Sequence, residues 1–300
     1  MLTSKHQVRW PGIWLVAIIL LLTACSGTPT PEVTSSPTTD AATATPTTAE
    51  PTATPMPAAA VVNGERIPLA WFQSEFSRFV LARESAGQTV DEAEVEETVL
   101  DDLINQVLLA QGAREAGTEI TDQALQDRLD AVAGEVDLTA WMMEWGYTED
   151  ELRYALQLQM LAADQRNRII ETVPEITEQV ELRQIFAYTE TGGEDALVSL
   201  NSGSDFEEVA FNYDPITGGY LGWVPRGYLL IPALEEAAFN LDVGSYSEII
   251  ESEIGYHIVR VLDREERPLT MDARLILQRQ ALHDWLSEQR ERSTIEVLID

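Results

Sequence analysis

Few side chains in this sequence are of the kinds that do covalent or metal chemistry. Cys25 is the only cysteine, so there is no partner for a disulfide and no thiolate cluster for a metal. Of the three histidines, His257 and His283 lie far from the N-terminus and from each other, in no HExxH-like spacing, so metal chemistry is not expected. Taken alone, His257 has the character of a core histidine with satisfied hydrogen bonds. Ser252, five residues earlier, can hold one tautomer of its ring.

Charge and the N-terminal pattern narrow the partners. The chain has 51 acidic and 19 basic residues, a net charge of −32 at pH 7. Such a surface repels phosphate backbones, which argues against nucleic acid and suits basic or apolar clients. A solvated acidic face with no client role is the plainer reading. Lys5 and Arg9 precede an unbroken apolar run, residues 13–22, whose ten residues fall well short of the roughly 20 that span a bilayer. Residues 1–24 therefore have the pattern of a signal peptide. Its end, Leu22-Thr23-Ala24-Cys25-Ser26, resembles a bacterial lipobox. That resemblance implies a lipid on the Cys25 sulfur, cleavage after Ala24 and an acylated new N-terminus, hence a lipoprotein held at a membrane with its folded part outside the cytoplasm. The alternative is an ordinary secretory signal that happens to contain a cysteine. Loss of Lys5 and Arg9 would leave 17 basic against 51 acidic residues, a charge of −34.

The elements that must position the remaining chemistry follow from periodicity. Residues 25–60 are expected to be a disordered tether. Of the 34 residues from 27 to 60, 11 are Thr and 7 are Pro, too little apolar surface to offset ordering entropy. Extended at about 3.1 Å per residue, it would reach roughly 100 Å. Order is expected from Val61, where Val61-Val62-Asn63-Gly64-Glu65-Arg66-Ile67 is a strand with an Asn-Gly turn signal. Helical patterns then fill residues 61–175. One spans 69–83, and another carries Leu100, Leu103, Ile104, Val107, Leu108 and Gln111 on a single stripe. A third begins at Thr121, a short one runs from a cap at Asp137 to a stop at Gly146, and a long one opens with a capping box at 148–151 and ends near 171.

The period changes from Glu178. Val180, Leu182, Gln184, Phe186 and Tyr188 alternate as in a strand, and short helices are expected at 205–211 and 232–240. Gly218-Gly219 turns into a strand at 220–223, and two further strands lie around 249–250 and 257–262. A last helix over 272–292 has Leu275, Leu282, Trp285 and Leu286 as its apolar face. Residues 295–299 alternate too weakly to be placed.

The stretch from about 180 to 267 resembles a parvulin, a peptidyl-prolyl cis/trans isomerase domain. The resemblance rests on Ser202-Gly203-Ser204-Asp205-Phe206, Gly218-Gly219-Tyr220-Leu221-Gly222-Trp223, Leu234-Glu235-Glu236-Ala237-Ala238-Phe239, Val243-Gly244-Ser245-Tyr246-Ser247 and Gly255-Tyr256-His257-Ile258-Val259, in that order. The helical part, opening at Val62-Asn63-Gly64-Glu65 and continuing through Leu100-Asp101-Asp102-Leu103-Ile104, resembles the N-terminal domain of SurA- and PrsA-like foldases. The implied fold is α+β. A helical chaperone domain (61–175) is followed by a parvulin domain with a small antiparallel sheet (176–267), and a C-terminal segment (268–300) packs back on the helical domain. The implied partners are unfolded or newly exported polypeptides with X-Pro segments, and no cofactor or metal is implied.

The same resemblance assigns candidate site residues. His257 matches the second active-site histidine, with Ser252 in support. Asp214 stands at a family Asp/Cys position, although a turn-forming Asp before Pro215 explains it equally. Leu230, which stands where parvulins usually have Met, Leu234, which stands where they have Phe, and Phe239 would form the proline pocket, or serve as plain core. Gln184 departs from the pattern, because it occupies the place of the first histidine; an amide can still pair with imidazole but cannot titrate. Slow catalysis or none is therefore expected. Two readings stay open: a tethered foldase with isomerase activity, and a holdase whose parvulin fold only binds peptide. A solute-binding lipoprotein would show two α/β lobes, a pattern this chain lacks.

Overall fold

The computed structural model describes residues 57–299, so the signal peptide, Cys25 and nearly all of the tether lie outside the described residues. The described chain enters as β1 (Ala58–Val62) and returns as β2 (Glu65–Pro68) in an antiparallel hairpin. Asn63 and Gly64 between them take φ of 52° and 87°, a left-handed turn that an Asn-Gly pair adopts at little cost. Strand β1 thus takes in three residues ahead of the expected Val61. Ala58, Ala59 and Ala60 belong to β1 and are buried, not part of a tether. Their small side chains let the strand backbone pack closely, a role that alanines beside a Thr/Pro-rich stretch do not advertise.

Five helices follow: α1 (Leu69–Ser85), α2 (Glu92–Glu115), α3 (Asp122–Glu135), α4 (Leu138–Trp145) and α5 (Glu149–Glu171). The starts of α2 to α5 are set by side-chain caps. Asp91, Thr121 and Asp137 each accept a backbone N–H, and Thr148 with Glu151 forms a reciprocal capping box. Gly146, at φ 71°, ends α4. The expected stripe on α2 is buried, and Leu103, Ile104, Val107 and Leu108 share one core with Trp71, Phe72, Leu156, Leu158 and Leu161.

The chain then forms β3 (Ile176–Ala187), α6 (Glu190–Asn201), α7 (Phe206–Tyr213), β4 (Tyr220–Pro225), α8 (Pro232–Asn240), β5 (Ile250–Ser252) and β6 (Gly255–Pro268). The strands make one antiparallel sheet in the order β4-β3-β6-β5. Central β3 is covered on both faces. Ile185 packs with Leu200, Phe206 and Val209, whereas Val180 and Leu182 pack with Val224, Phe239 and Val261. Helix α6 is not expected from the sequence, because Gly192 and Gly193 fall in its first turn and lower its propensity. Gly193 is needed for proximity: a Cβ there would lie 3.2 Å from the Tyr256 Cβ.

After Pro268 come α9 (Met271–Arg292) and β7 (Ile295–Val297). Leu282, Trp285 and Leu286 of α9 pack on Leu109 of α2 and on Ala162 and Ile169 of α5. Arg290 donates to the Asn105 side chain at 2.9 Å. Trp285 packs closely against a glycine, since a Cβ on Gly112 would come within 2.7 Å of its ring. Leu275 is not part of this face; it is 53% exposed. The Gln278 amide donates to the carbonyl of Ile170, almost the last residue of α5, so Leu275 lies beyond the end of its partner helix. Strand β7 pairs antiparallel with β1, giving the order β2-β1-β7. The architecture is α+β, with the helical domain completed by the C-terminal helix. Among the described residues no helix is long and apolar enough to cross a membrane.

Candidate active site

The site is built on the pairing of β3 with β6. Phe186 stands opposite His257 and Gln184 opposite Val259, so these four side chains share one sheet face and Gln184 is the diagonal neighbour of His257. The His257 Nδ1 lies 3.3 Å from the Gln184 Oε1, and its ring meets Phe186 at a centroid distance of 4.9 Å. On the other side β5 brings Ser252 opposite Gly255, with the Ser252 Oγ 2.8 Å from the His257 Nε2. The same Oγ lies 3.0 Å from the Gly255 carbonyl.

A hydroxyl has one proton to give. Donated to His257 Nε2, it leaves the ring proton on Nδ1, which then donates to the Gln184 carbonyl oxygen. Donated to Gly255, it puts the ring proton on Nε2 and asks Gln184 to present its NH2 instead. Gln184 can serve either tautomer, being donor and acceptor at once. His257 is 2% exposed, and burial holds its pKa below the ordinary histidine value, which keeps the imidazole neutral.

Gln184 is placed by a glycine turn. Its backbone N–H donates to the Gly219 carbonyl at 2.8 Å. Gly219 has φ 68°, and a Cβ on it would lie 1.8 Å from the Gln184 carbonyl oxygen, so only glycine fits. Asp214 organises that turn. Its carboxylate accepts from the backbone N–H of Ile216 (3.0 Å), Thr217 (3.2 Å) and Gly219 (3.3 Å), and from the Thr217 hydroxyl. The Thr217 hydroxyl first, and then these backbone donors, draw its pKa down to about 2. Asp214 does not line the pocket, which favours the turn-forming explanation over a direct one.

Above Gln184 and His257 lies a pocket of about 380 Å³. Leu234 from α8 forms part of its wall and is buried, whereas Leu230 stands at the rim, 97% exposed. Phe239 is not in the pocket; it belongs to the core with Val180, Leu182 and Val224, and the Arg226 guanidinium stacks on it at 4.1 Å. The reason is helical phase: Leu234 and Phe239 are five residues apart on α8, which turns them to different sides. Walls not anticipated from the sequence are Leu221, Val259, Ile254, the neighbours Tyr228, Leu229 and Ile231 that make a run with the expected Leu230, and, from α9, Ile276. The signal for the run is its placement: four apolar residues between a strand and a helix, with no periodicity that would bury them. The sequence-derived set therefore divides. Gln184, His257, Leu230 and Leu234 line one pocket, with Ser252 bonded behind His257; Asp214 and Phe239 support it from outside.

Comparison with known proteins finds two domain families along the chain. Residues 52–137 match the SurA-like N-terminal domain family, and residues 187–263 match the PPIC-type peptidyl-prolyl isomerase domain family. The foldase protein PrsA of Caldanaerobacter subterraneus subsp. tengcongensis is 29% identical over 67% of this chain and 72% of its own. The foldase protein PrsA of Halalkalibacterium halodurans is 28% identical over 68% of this chain and 66% of its own, so the chain spans just under two thirds of that relative. Among solved structures, the peptidylprolyl isomerase PrsA from Bacillus cereus aligns over 68% of this chain and 84% of its own, with 20% identity and a TM-score of 0.45.

Proposed function

We propose, from the PPIC-type isomerase domain and the SurA-like domain that this chain carries, that the protein is a foldase. It would act on exported, unfolded polypeptides and catalyse cis/trans isomerisation of X-Pro bonds. The observation that carries the reading is the hydrogen-bonded Gln184–His257–Ser252 chain, centred on a buried, neutral His257, with Gln184 and His257 lining an apolar pocket. Rotation about an amide has a barrier of about 18–20 kcal/mol, set by conjugation between nitrogen and carbonyl. It needs no nucleophile, only a site that binds the twisted form better than the planar one. Leu234, Val259 and Ile231 would take the proline ring and keep water from the amide, while the hydrogen-bonded imidazole offers a fixed polar group to the turning bond.

The lipid anchor supports an extracytoplasmic setting in this proposal. Cys25, following Leu22-Thr23-Ala24, would carry the lipid, and the Thr/Pro segment would hold the folded part off the membrane. Metabolic lipid labelling tests this: the wild type is expected to label, and Cys25→Ala to stay unlabelled and leave the membrane fraction. An unlabelled wild type defeats the anchor and leaves the isomerase reading standing.

A second reading has its own support. Gln184 in the place of a titratable histidine and Leu234 in the place of an aromatic both weaken the catalytic case, and favour a holdase whose pocket binds peptide without turning it over. A protease-free exchange measurement on a proline peptide, run beside an aggregation-suppression assay, separates the two. Exchange above the uncatalysed rate supports the foldase; suppression with no exchange supports the holdase.

A further inference from the structure

The domain matched as an isomerase ends at residue 263, yet the pocket does not. Ile276, on the second turn of α9, lines it together with Gln184, His257 and Leu234. The neighbouring Leu277 presses on the loop that supplies the rim: its Cδ2 would be 2.9 Å from a Cβ on Gly227, which takes φ 81°. Gly227 is fixed in turn by donating its N–H to the Glu235 carboxylate at 2.7 Å. The same helix grips α2 and α5 with its later turns, through Leu282 and Trp285. At 3.6 residues per turn that grip lies roughly 160° further round the helix than Ile276 and Leu277. One rigid rod therefore touches both domains on different faces.

We propose that Ile276 is a specificity-determining residue of the isomerase pocket, selecting segments with an apolar residue beside the proline, and that the pocket is composite, with one wall from the helical domain. This rests on the reading of the pocket as an X-Pro site. Ile276 is half-buried, so its outer carbons are available to a bound side chain. Together with Leu221, Ile254 and Leu230, it gives the pocket an apolar lining with no charged group among the wall residues. A polar or charged neighbour of the proline would lose water there with no partner in return. A leucine or phenylalanine would bury carbon against carbon.

The full chain is tested with a series of proline peptides that differ only in the residues flanking the proline, some apolar and some acidic. Binding is followed by the methyl shifts of Leu234 and Val259, and exchange by NMR. Ile276→Ala, which keeps helix propensity, is expected to weaken apolar-flanked peptides roughly three- to tenfold and acidic ones less than twofold. Ile276→Lys is expected to reverse the ranking in favour of an acidic flank, a gain that mere destabilisation does not produce. If both variants rank the peptides as the wild type does, while the Leu234 and Val259 shifts show the pocket filled, Ile276 is packing only and the proposal is overturned. Wild type that binds with the expected ranking but does not accelerate exchange upholds the proposal and defeats the isomerase reading alone. Wild type that binds no peptide at Leu234 and Val259 overturns both.

Discussion

Gly219 sits so close beneath Gln184 that the two backbones exclude any side chain between them: a Cβ on residue 219 would lie 1.8 Å from the Gln184 carbonyl oxygen. The Gln184 amide is thus set by a contact that belongs to the backbone of a turn. Gly219→Ala must break that turn or push β3 away, and the positive φ adds strain. A loss of about 3 kcal/mol in urea-unfolding stability is expected, with exchange activity down at least tenfold in the protein that remains folded. Unchanged stability would mean that the turn adapts at no cost.

Restoring histidine at position 184 is expected to raise exchange activity. It returns a titratable partner to the Nδ1 side of His257, where the amide oxygen now lies at 3.3 Å, and orientation of such a partner is commonly worth tenfold. Gln184→His and His257→Ala should be assayed together on several proline peptides. If the first adds nothing and the second costs only thermal stability, His257 is a core residue and the holdase reading prevails.

Acidification should act on His257 in a defined sense. Its folded pKa is depressed by burial below the ordinary 6.5, so between those two values the unfolded chain binds a proton that the folded chain refuses. The associated stability is complete above about pH 6.5 and declines as pH falls towards the folded value. Exchange that relies on the neutral ring stays level through pH 6.5 and drops only below it. The thermal midpoint against pH, compared with that of His257→Gln, isolates this part: the variant should lose the slope in that window.

Asp214 is expected to behave in the opposite pH range. Its pKa of about 2 lies below the ordinary 3.8, so its hold on the turn is present above pH 3.8 and is lost as pH falls towards 2. Asp214→Ala at neutral pH removes all its bonds to Ile216, Thr217 and Gly219 at once. Backbone hydrogen exchange at residues 216–219 should speed up, with exchange activity several-fold lower and His257 still buried. Protection equal to the wild type's would show that the turn holds without the carboxylate.

The seat of Trp285 offers a test of domain completion. Alanine at Gly112 gains about 1 kcal/mol of helix propensity but must move an indole that a Cβ would approach to 2.7 Å. A net loss of about 1–3 kcal/mol is expected in tryptophan-monitored unfolding, and a gain in stability would mean that the indole has somewhere else to go.

Most of the helical domain was legible because its signals are local. Asp137 and Gly146 bracket α4, Thr148 and Glu151 announce α5, and the α2 stripe keeps its period over three turns. What stayed hidden depends on contacts between distant segments. Ile295–Val297 is a strand because it pairs with Ala60, Val61 and Val62, and Ala58 is held opposite Pro68; neither the alanine run nor 295–297 carries enough alternation to say so alone. Helix α6 was masked by Gly192 and Gly193, whose purpose is a close approach to Ala187 and Tyr256. In the site, the parvulin-like motifs located Gln184, His257 and Leu234, whereas Phe239 was displaced into the core by the phase of α8. Ile276 was out of reach, since it joins the pocket from an element whose apolar face points elsewhere.

The pairing of β7 with β1 has a consequence for how the molecule is made. Ile295 bonds alongside Val62, and Arg290 reaches back to Asn105, across more than half of the sequence. The segments of the isomerase sheet, by contrast, all lie between residues 176 and 268. A chain emerging N-terminus first can therefore close its isomerase sheet while its first domain still lacks a helix and an edge strand. Apolar surface on α2 and α5, around Leu109 and Ile169, stays uncovered until α9 arrives. Docking of α9 and β7 is then a long-range step, slow because loop closure precedes any reward. Until it occurs, the nascent chain is itself the kind of client the finished protein would recognise.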